Sequence, residues 1–162
     1  MPNWCLNTVE LTSTKEDIDA LLLYLVQNNG EGWFSFFTGE DNSDEDESEE
    51  ESDDYCDNIE RWGCKWNCTA TDWHRLDETC LELYFESPWA PPLTLYERIE
   101  NGEFGSDWTV FSNWHEPGLK YIGQFINGDI YEYDYHGGEE SLNDIPQDII
   151  DLWDLREIIV EC

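Results

Sequence analysis

The sequence predicts an α+β domain in which helices pack on a mostly antiparallel sheet. Three observations carry this reading. Leu81-Glu82-Leu83-Tyr84-Phe85-Glu86 alternates with the period of a half-buried strand. Ile18, Leu21, Leu22, Leu25 and Val26 recur at the spacing of a helix with one apolar side. Asn127-Gly128 sits between two apolar-rich runs and is a two-residue hairpin signal.

The elements follow in order. Trp4 to Thr12 has strand chemistry with loose alternation. Thr14 or Ser13 can cap the next helix, with Glu16 and Asp17 in the first turn where the helix dipole favours acids. Asn29-Gly30 ends it. Trp33-Phe34-Ser35-Phe36-Phe37 reads as a strand or a packed loop. Order resumes near Ile59, and Trp62 to Cys68 reads as a turn into a strand. Pro88, Pro91 and Pro92 break the Leu81–Glu86 strand. Pro92 is placed to start a helix through Leu95, Tyr96 and Ile99 to Asn101-Gly102. Trp108 to Trp114, Leu119 to Ile126 and Ile130 to Tyr135 read as three further strands, the first two joined by the turn Glu116-Pro117-Gly118. In the last strand three tyrosines share one face and two acids the other. Asp144 can cap a final helix, with Pro146 in its first turn and Ile149, Ile150, Trp153 and Leu152 on its buried side.

Charge is the dominant compositional feature. The 162 residues hold 39 Asp and Glu against 7 Lys and Arg, a formal charge of -32. Glu40–Asp54 alone holds eleven acids, but without it 28 acids still face 7 bases, so the body is acidic as well. The 40–54 segment has no periodicity and reads as a disordered acidic insertion within a single domain spanning 1–162. Nine Trp and an aromatic content of 15% supply a core despite the charge. No apolar run approaches the ~18 residues that span a membrane. Met1-Pro2-Asn3-Trp4 carries neither a basic nor an apolar leader region, which argues against a signal peptide. The six cysteines are then expected as thiols, and the sequon Asn67-Cys68-Thr69 as a chance match.

Several motifs carry a resemblance. Met1-Pro2-Asn3-Trp4-Cys5, Trp62-Gly63-Cys64-Lys65-Trp66-Asn67, Phe85-Glu86-Ser87-Pro88-Trp89-Ala90-Pro91-Pro92, Glu116-Pro117-Gly118 and Ile122-Gly123 together resemble the Api92-like family. These are phage- and plasmid-borne proteins described as having a ferredoxin-like domain. The match runs from residue 1 to about residue 128. It implies a ferredoxin-like sheet with two to three helices, a phage or mobile-element origin, and action in the host bacterial cytoplasm. It carries over no catalytic residue. Cys64 stands where the family has a small residue, and the acidic insertion is unusually long.

Chemistry other than charge is sparse. Cys56, Cys64, Cys68 and His74 are the candidate zinc ligands, but only Cys64 and Cys68 approach the spacing of a structural pair. The acidic run lacks the Asp-x-Asp-x-Asp-Gly pattern of a calcium loop. No phosphate loop, nucleophile elbow or zincin motif is present, and paired acids are undiagnostic among 39. The few bases are scattered, which argues against direct nucleic-acid binding.

The expected function is therefore non-enzymatic and cofactor-free. The acids are read as a nucleic-acid-mimicking surface that blocks a host protein with a basic nucleic-acid cleft, with no direct nucleic-acid or membrane contact. The expected contact residues are a C-terminal stripe, Asp148, Asp151, Asp154 and Glu157, which lies on one row if the last helix is continuous. Asp44, Glu45, Asp46, Glu47, Glu49, Glu50 and Glu51 of the insertion are expected to join it. The alternatives are a generic binding module using its aromatic or sheet surface, and a small zinc-binding domain.

Overall fold

The computed structural model describes residues 3–39, 59–60, 62–64, 67–136 and 138–161. The acidic insertion expected at 40–54, and Cys56 beyond it, lie outside these residues. The six strands are β1 (Trp4–Thr12), β2 (Ala70–Asp77), β3 (Cys80–Pro88), β4 (Thr109–Glu116), β5 (Tyr121–Ile126) and β6 (Asp129–Asp134). The helices with described bounds are α1 (Lys15–Asn28), α2 (Phe34–Thr38), α3 (Leu93–Glu100), α4 (Gln147–Leu152) and α5 (Leu155–Glu161). A 3-10 turn spans Glu139–Leu142. The strands form one sheet in the order β2-β3-β1-β4-β5-β6, and every neighbouring pair is antiparallel.

Alternation in the central strands assigns their two faces. Cys5, Asn7, Val9 and Leu11 of β1 are buried, while Leu6, Thr8, Glu10 and Thr12 between them are half-buried. The buried set packs beneath α1, α2 and α3 in one large cluster that includes Ile18, Leu21, Leu25, Trp33, Phe34, Leu95, Tyr96 and Ile99. Trp33 lies edge-on to Phe34 and Phe85 at 4.8 and 5.1 Å between ring centres. Such edge contacts add to the area that aromatic side chains bury.

Local chemistry explains the helix ends. The Thr14 hydroxyl accepts from the Asp17 amide at 3.2 Å, capping α1. Asn29 closes α1 in the left-handed conformation. Val26, expected on the buried side, is 63% exposed. At 100° per residue it lies about 80° round from Ile18, off the stripe centred on Ile18 and Leu25. The Trp33–Phe37 run is helical from Phe34, where a strand or loop was expected. Its β-favouring aromatics are overridden by burial of Trp33, Phe34 and Phe37 in the core.

The motifs between Asn3 and Gly123 are structural ties. Asn67 Oδ1 accepts from the amides of Phe34 at 3.1 Å and Cys68 at 2.9 Å, and its Nδ2 donates to Ser35 Oγ at 2.9 Å. The sequon asparagine is thus a strut between α2 and the entry to β2. Ser87 Oγ accepts from Asn7 Nδ2 at 2.8 Å and donates to the Ala90 carbonyl at 2.7 Å. The Trp89 amide donates to the Asn3 carbonyl at 2.8 Å. The Glu116 carboxylate, 1% exposed, accepts from the amides of Gly118 and Leu119 at 2.8 Å each and so closes the β4–β5 turn. Gly123 faces Trp114 across β4–β5. A Cβ there would stand 2.2 Å from the indole, so only glycine admits that ring.

Among the described residues, the second face of the sheet is only half covered. Ile122, Tyr133 and Tyr135 pack with Leu142, Ile145, Ile149, Ile150, Trp153 and Leu155 in a smaller cluster. The expected final helix is interrupted, because Asp154 takes the left-handed conformation at φ 50°. In an unbroken helix Leu155 would stand about 140° round from Ile150. The break turns Leu155 inward, where it is fully buried. Pro146 occupies the cap position of α4, in place of Asp144.

Candidate functional site

Two surfaces remain after the clusters are accounted for. The first covers β6 and the C-terminal helices. Every Asp and Glu from Asp129 to Glu157 is exposed, ten in all, and Arg156 is the sole Lys or Arg in that span. None of the ion pairs found among the described residues falls in it. The tyrosine face of β6 is turned to the small cluster, so Glu132 and Asp134 point to the other side, as their alternation predicts. Burial of Tyr121 together with the Glu132 carboxylate that accepts its proton at 2.6 Å holds its hydroxyl well above the usual phenol range.

The predicted stripe residues Asp148, Asp151, Asp154 and Glu157 are all exposed. They do not form one helical row. Asp148 and Asp151 lie on α4, Asp154 is in the break, and Glu157 is in the first turn of α5. The regular spacing of a continuous helix is therefore lost at the bend, while the exposure survives. Asp44, Glu45, Asp46, Glu47, Glu49, Glu50 and Glu51 lie outside the described residues.

Beneath the acidic cap sits a polar seam. His115, 2% exposed, shares a hydrogen bond with the Tyr135 hydroxyl at 2.9 Å, and its ring lies 5.5 Å from that of Trp153. Burial pushes the imidazole down to about 4, so it is neutral at pH 7.

The second surface is the part of the sheet over β2, β3 and β1 that no described helix covers. Strand register aligns its side chains in rows. His74 stands opposite Glu82, which stands opposite Glu10, which stands opposite Phe111. In the next row Asp72 faces Tyr84, and Tyr84 faces Thr8. The Tyr84 hydroxyl donates to Glu82, which pushes it up to about 12. Desolvation, then the neighbouring Glu82 charge, raises the Glu10 carboxyl. His74 Nε2 lies 3.0 Å from Asp72 Oδ2, and its ring meets Tyr84 edge-on at 5.9 Å. Sequence reasoning missed this face. Its signal was present in the outward positions of β1 and β3, but only register sets Glu10 against Glu82.

Of the zinc candidates, Cys64 and Cys68 are brought together and His74 is held apart from them. Cys64 and Cys68 are buried in the large cluster with Cys5, on the helix-covered side. His74 lies on the opposite, open side, and Cys56 is outside the described residues. Burial pushes the Cys5 thiol up to about 12, and hydrogen bonding to Cys64 together with burial holds Cys68 well above the usual thiol range. Among the described residues, none of Cys5, Cys64, Cys68 and Cys80 is in a disulfide. Among the described residues no three His, Cys, Asp or Glu side chains gather in a metal-binding arrangement. Among the same residues no helix is long and apolar enough to cross a membrane. In comparisons with known proteins, no family model, no curated protein and no solved structure matches the chain.

Proposed function

We propose that this chain is a non-enzymatic binding protein of the Api92-like kind. In this reading a phage makes it to occupy the basic nucleic-acid cleft of a host protein in the bacterial cytoplasm, as a counter to host defence. The observation that carries the reading is the span from Asp129 to Glu157, where all ten carboxylates are exposed, two of them (Glu132 and Asp134) on the sheet face away from the C-terminal helices, Arg156 is the sole Lys or Arg, and none of the ten has an ion-pair partner among the described residues. Such a surface attracts basic clefts and repels nucleic acid. The ferredoxin-like assignment belongs to the same proposal. It is supported by the strand order β2-β3-β1-β4, with α1 following β1 and α3 following β3.

The test is capture from bacterial lysate after nuclease treatment, followed by competition against DNA or RNA for the captured protein. Affinity should fall roughly tenfold or more between low and physiological salt, because exposed charges are screened beyond ~8 Å at 0.15 M. Replacing Asp148, Asp151, Asp154 and Glu157 with their amides should weaken capture while leaving the unfolding midpoint in place. A captured partner held equally at high salt, or one whose nucleic acid is not displaced, overturns the reading.

A further inference from the structure

We infer that the half-sheet over β2, β3 and β1, which no described helix covers, is a second docking surface, and that it takes a basic segment of a protein partner with an arginine seated between Glu10 and Glu82. This surface differs from the C-terminal one in location and chemistry, and the inference does not depend on that reading.

The first argument is the pair itself. Glu10 and Glu82 are direct cross-strand partners. Side chains in that relation have Cβ atoms about 4.5–5.5 Å apart, and like charges there destabilise the sheet. No Lys or Arg among the described residues forms an ion pair with either. The nearby base Arg75 is committed elsewhere, to Asp19 at 2.8 Å and to the carbonyls of Asp77 and Glu78. The free protein thus holds an opposed pair of carboxylates that a cation from outside would relieve.

The second argument is the setting. Tyr84 donates to Glu82 and so fixes that carboxylate beside an aromatic ring. Phe111 is half-buried on the other side of Glu10, and Trp4, 41% exposed, stands at the end of the same face. Carboxylates flanked by rings suit a guanidinium, which binds two oxygens in its plane and stacks on aromatic faces. An ammonium satisfies only the charge.

The third argument is exclusion of other occupants. A divalent ion needs more ligands than gather here among the described residues. Nucleic acid and a second copy of this chain are both repelled by a formal charge of -32. A basic, partly apolar protein segment matches both the charge and the rings.

The experiment uses the full chain and a synthetic peptide alternating arginine and leucine, at physiological salt, with calorimetry and backbone amide NMR. The expected result is one-to-one binding with shifts concentrated on 4–12, 72–76 and 80–86. Glu10→Gln or Glu82→Gln should weaken binding roughly fivefold. Tyr84→Phe, which keeps both charges, should weaken it by about half that factor. The lysine version of the peptide should bind more weakly than the arginine version. Asp148→Asn with Asp151→Asn should leave affinity unchanged, which separates this surface from the C-terminal one. Shifts centred on 139–157, unchanged affinity in the glutamine variants, or equal binding of the lysine peptide would overturn the inference.

Discussion

The two apolar clusters on either side of the sheet are built differently. The helix-covered side holds a dense aromatic core in which Trp33, Phe34, Phe37, Phe85 and Trp108 meet edge to face, roofed by α1, α2 and α3. The other side holds a small cluster of mostly Ile and Leu beneath two helices of six and seven residues. Helices that short have little stability of their own and depend on packing. They also lie in the span of the ten exposed carboxylates, where mutual repulsion is greatest. The smaller apolar cluster therefore supports a span in which ten acids face one base. That contrast makes the C-terminal cap the element expected to open first, while the sheet and its three helices stay closed.

The largest effect should come from the aromatic core. Trp33→Ala removes a fully buried ring with three aromatic neighbours and should cost about 3–5 kcal/mol. Urea unfolding should show a lower midpoint with an unchanged slope, a loss shared by the whole domain.

A smaller and more local effect is expected at Leu155, which is fully buried in the second cluster. Leu155→Ala should cost about 2–3 kcal/mol. Hydrogen exchange should quicken over 139–159 while amides of β1 and β3 keep their protection. Equal loss of protection in both regions would mean that the two clusters unfold as one unit, and the contrast would fail.

The smallest effect is on pH dependence. Unfolded, His115 takes a proton near pH 6.5; folded, it does so only near 4. Between those values the unfolded chain binds more protons, so stability declines as pH falls from 6.5 toward 4, and His115 adds no slope above that window. The groups in contact with the imidazole are the Tyr135 hydroxyl and the Trp153 ring. His115→Gln should flatten the stability profile between pH 4 and 6.5 relative to the unchanged chain. Carboxylates titrate in both proteins, so the difference isolates His115. An NMR titration midpoint for His115 near 6.5 would break the account of a dry seam.

Local signals were legible where they were strong. The apolar spacing of α1, the Thr14 cap, the Leu81–Glu86 alternation and the Asn127-Gly128 turn each yield the observed element. The Trp33–Phe37 run was not legible, because five aromatic-rich residues have no decisive period and their burial is decided by distant strands. The motifs that carry the family resemblance are likewise explained by tertiary ties, through Asn67, Ser87, Glu116 and Gly123. Their residue types are recognisable in sequence, but their partners lie across strands and loops.

The amino-acid order by itself determines the acidic character, the strongly alternating strands and the apolar side of the long helix, since each depends on residues near one another in the chain. The tertiary structure alone decides that Glu10 faces Glu82, that the last helix breaks at Asp154, and that half of one sheet face stays open. Those features depend on strand register and on where Leu155 finds apolar surface, and both are set by contacts between segments far apart in sequence.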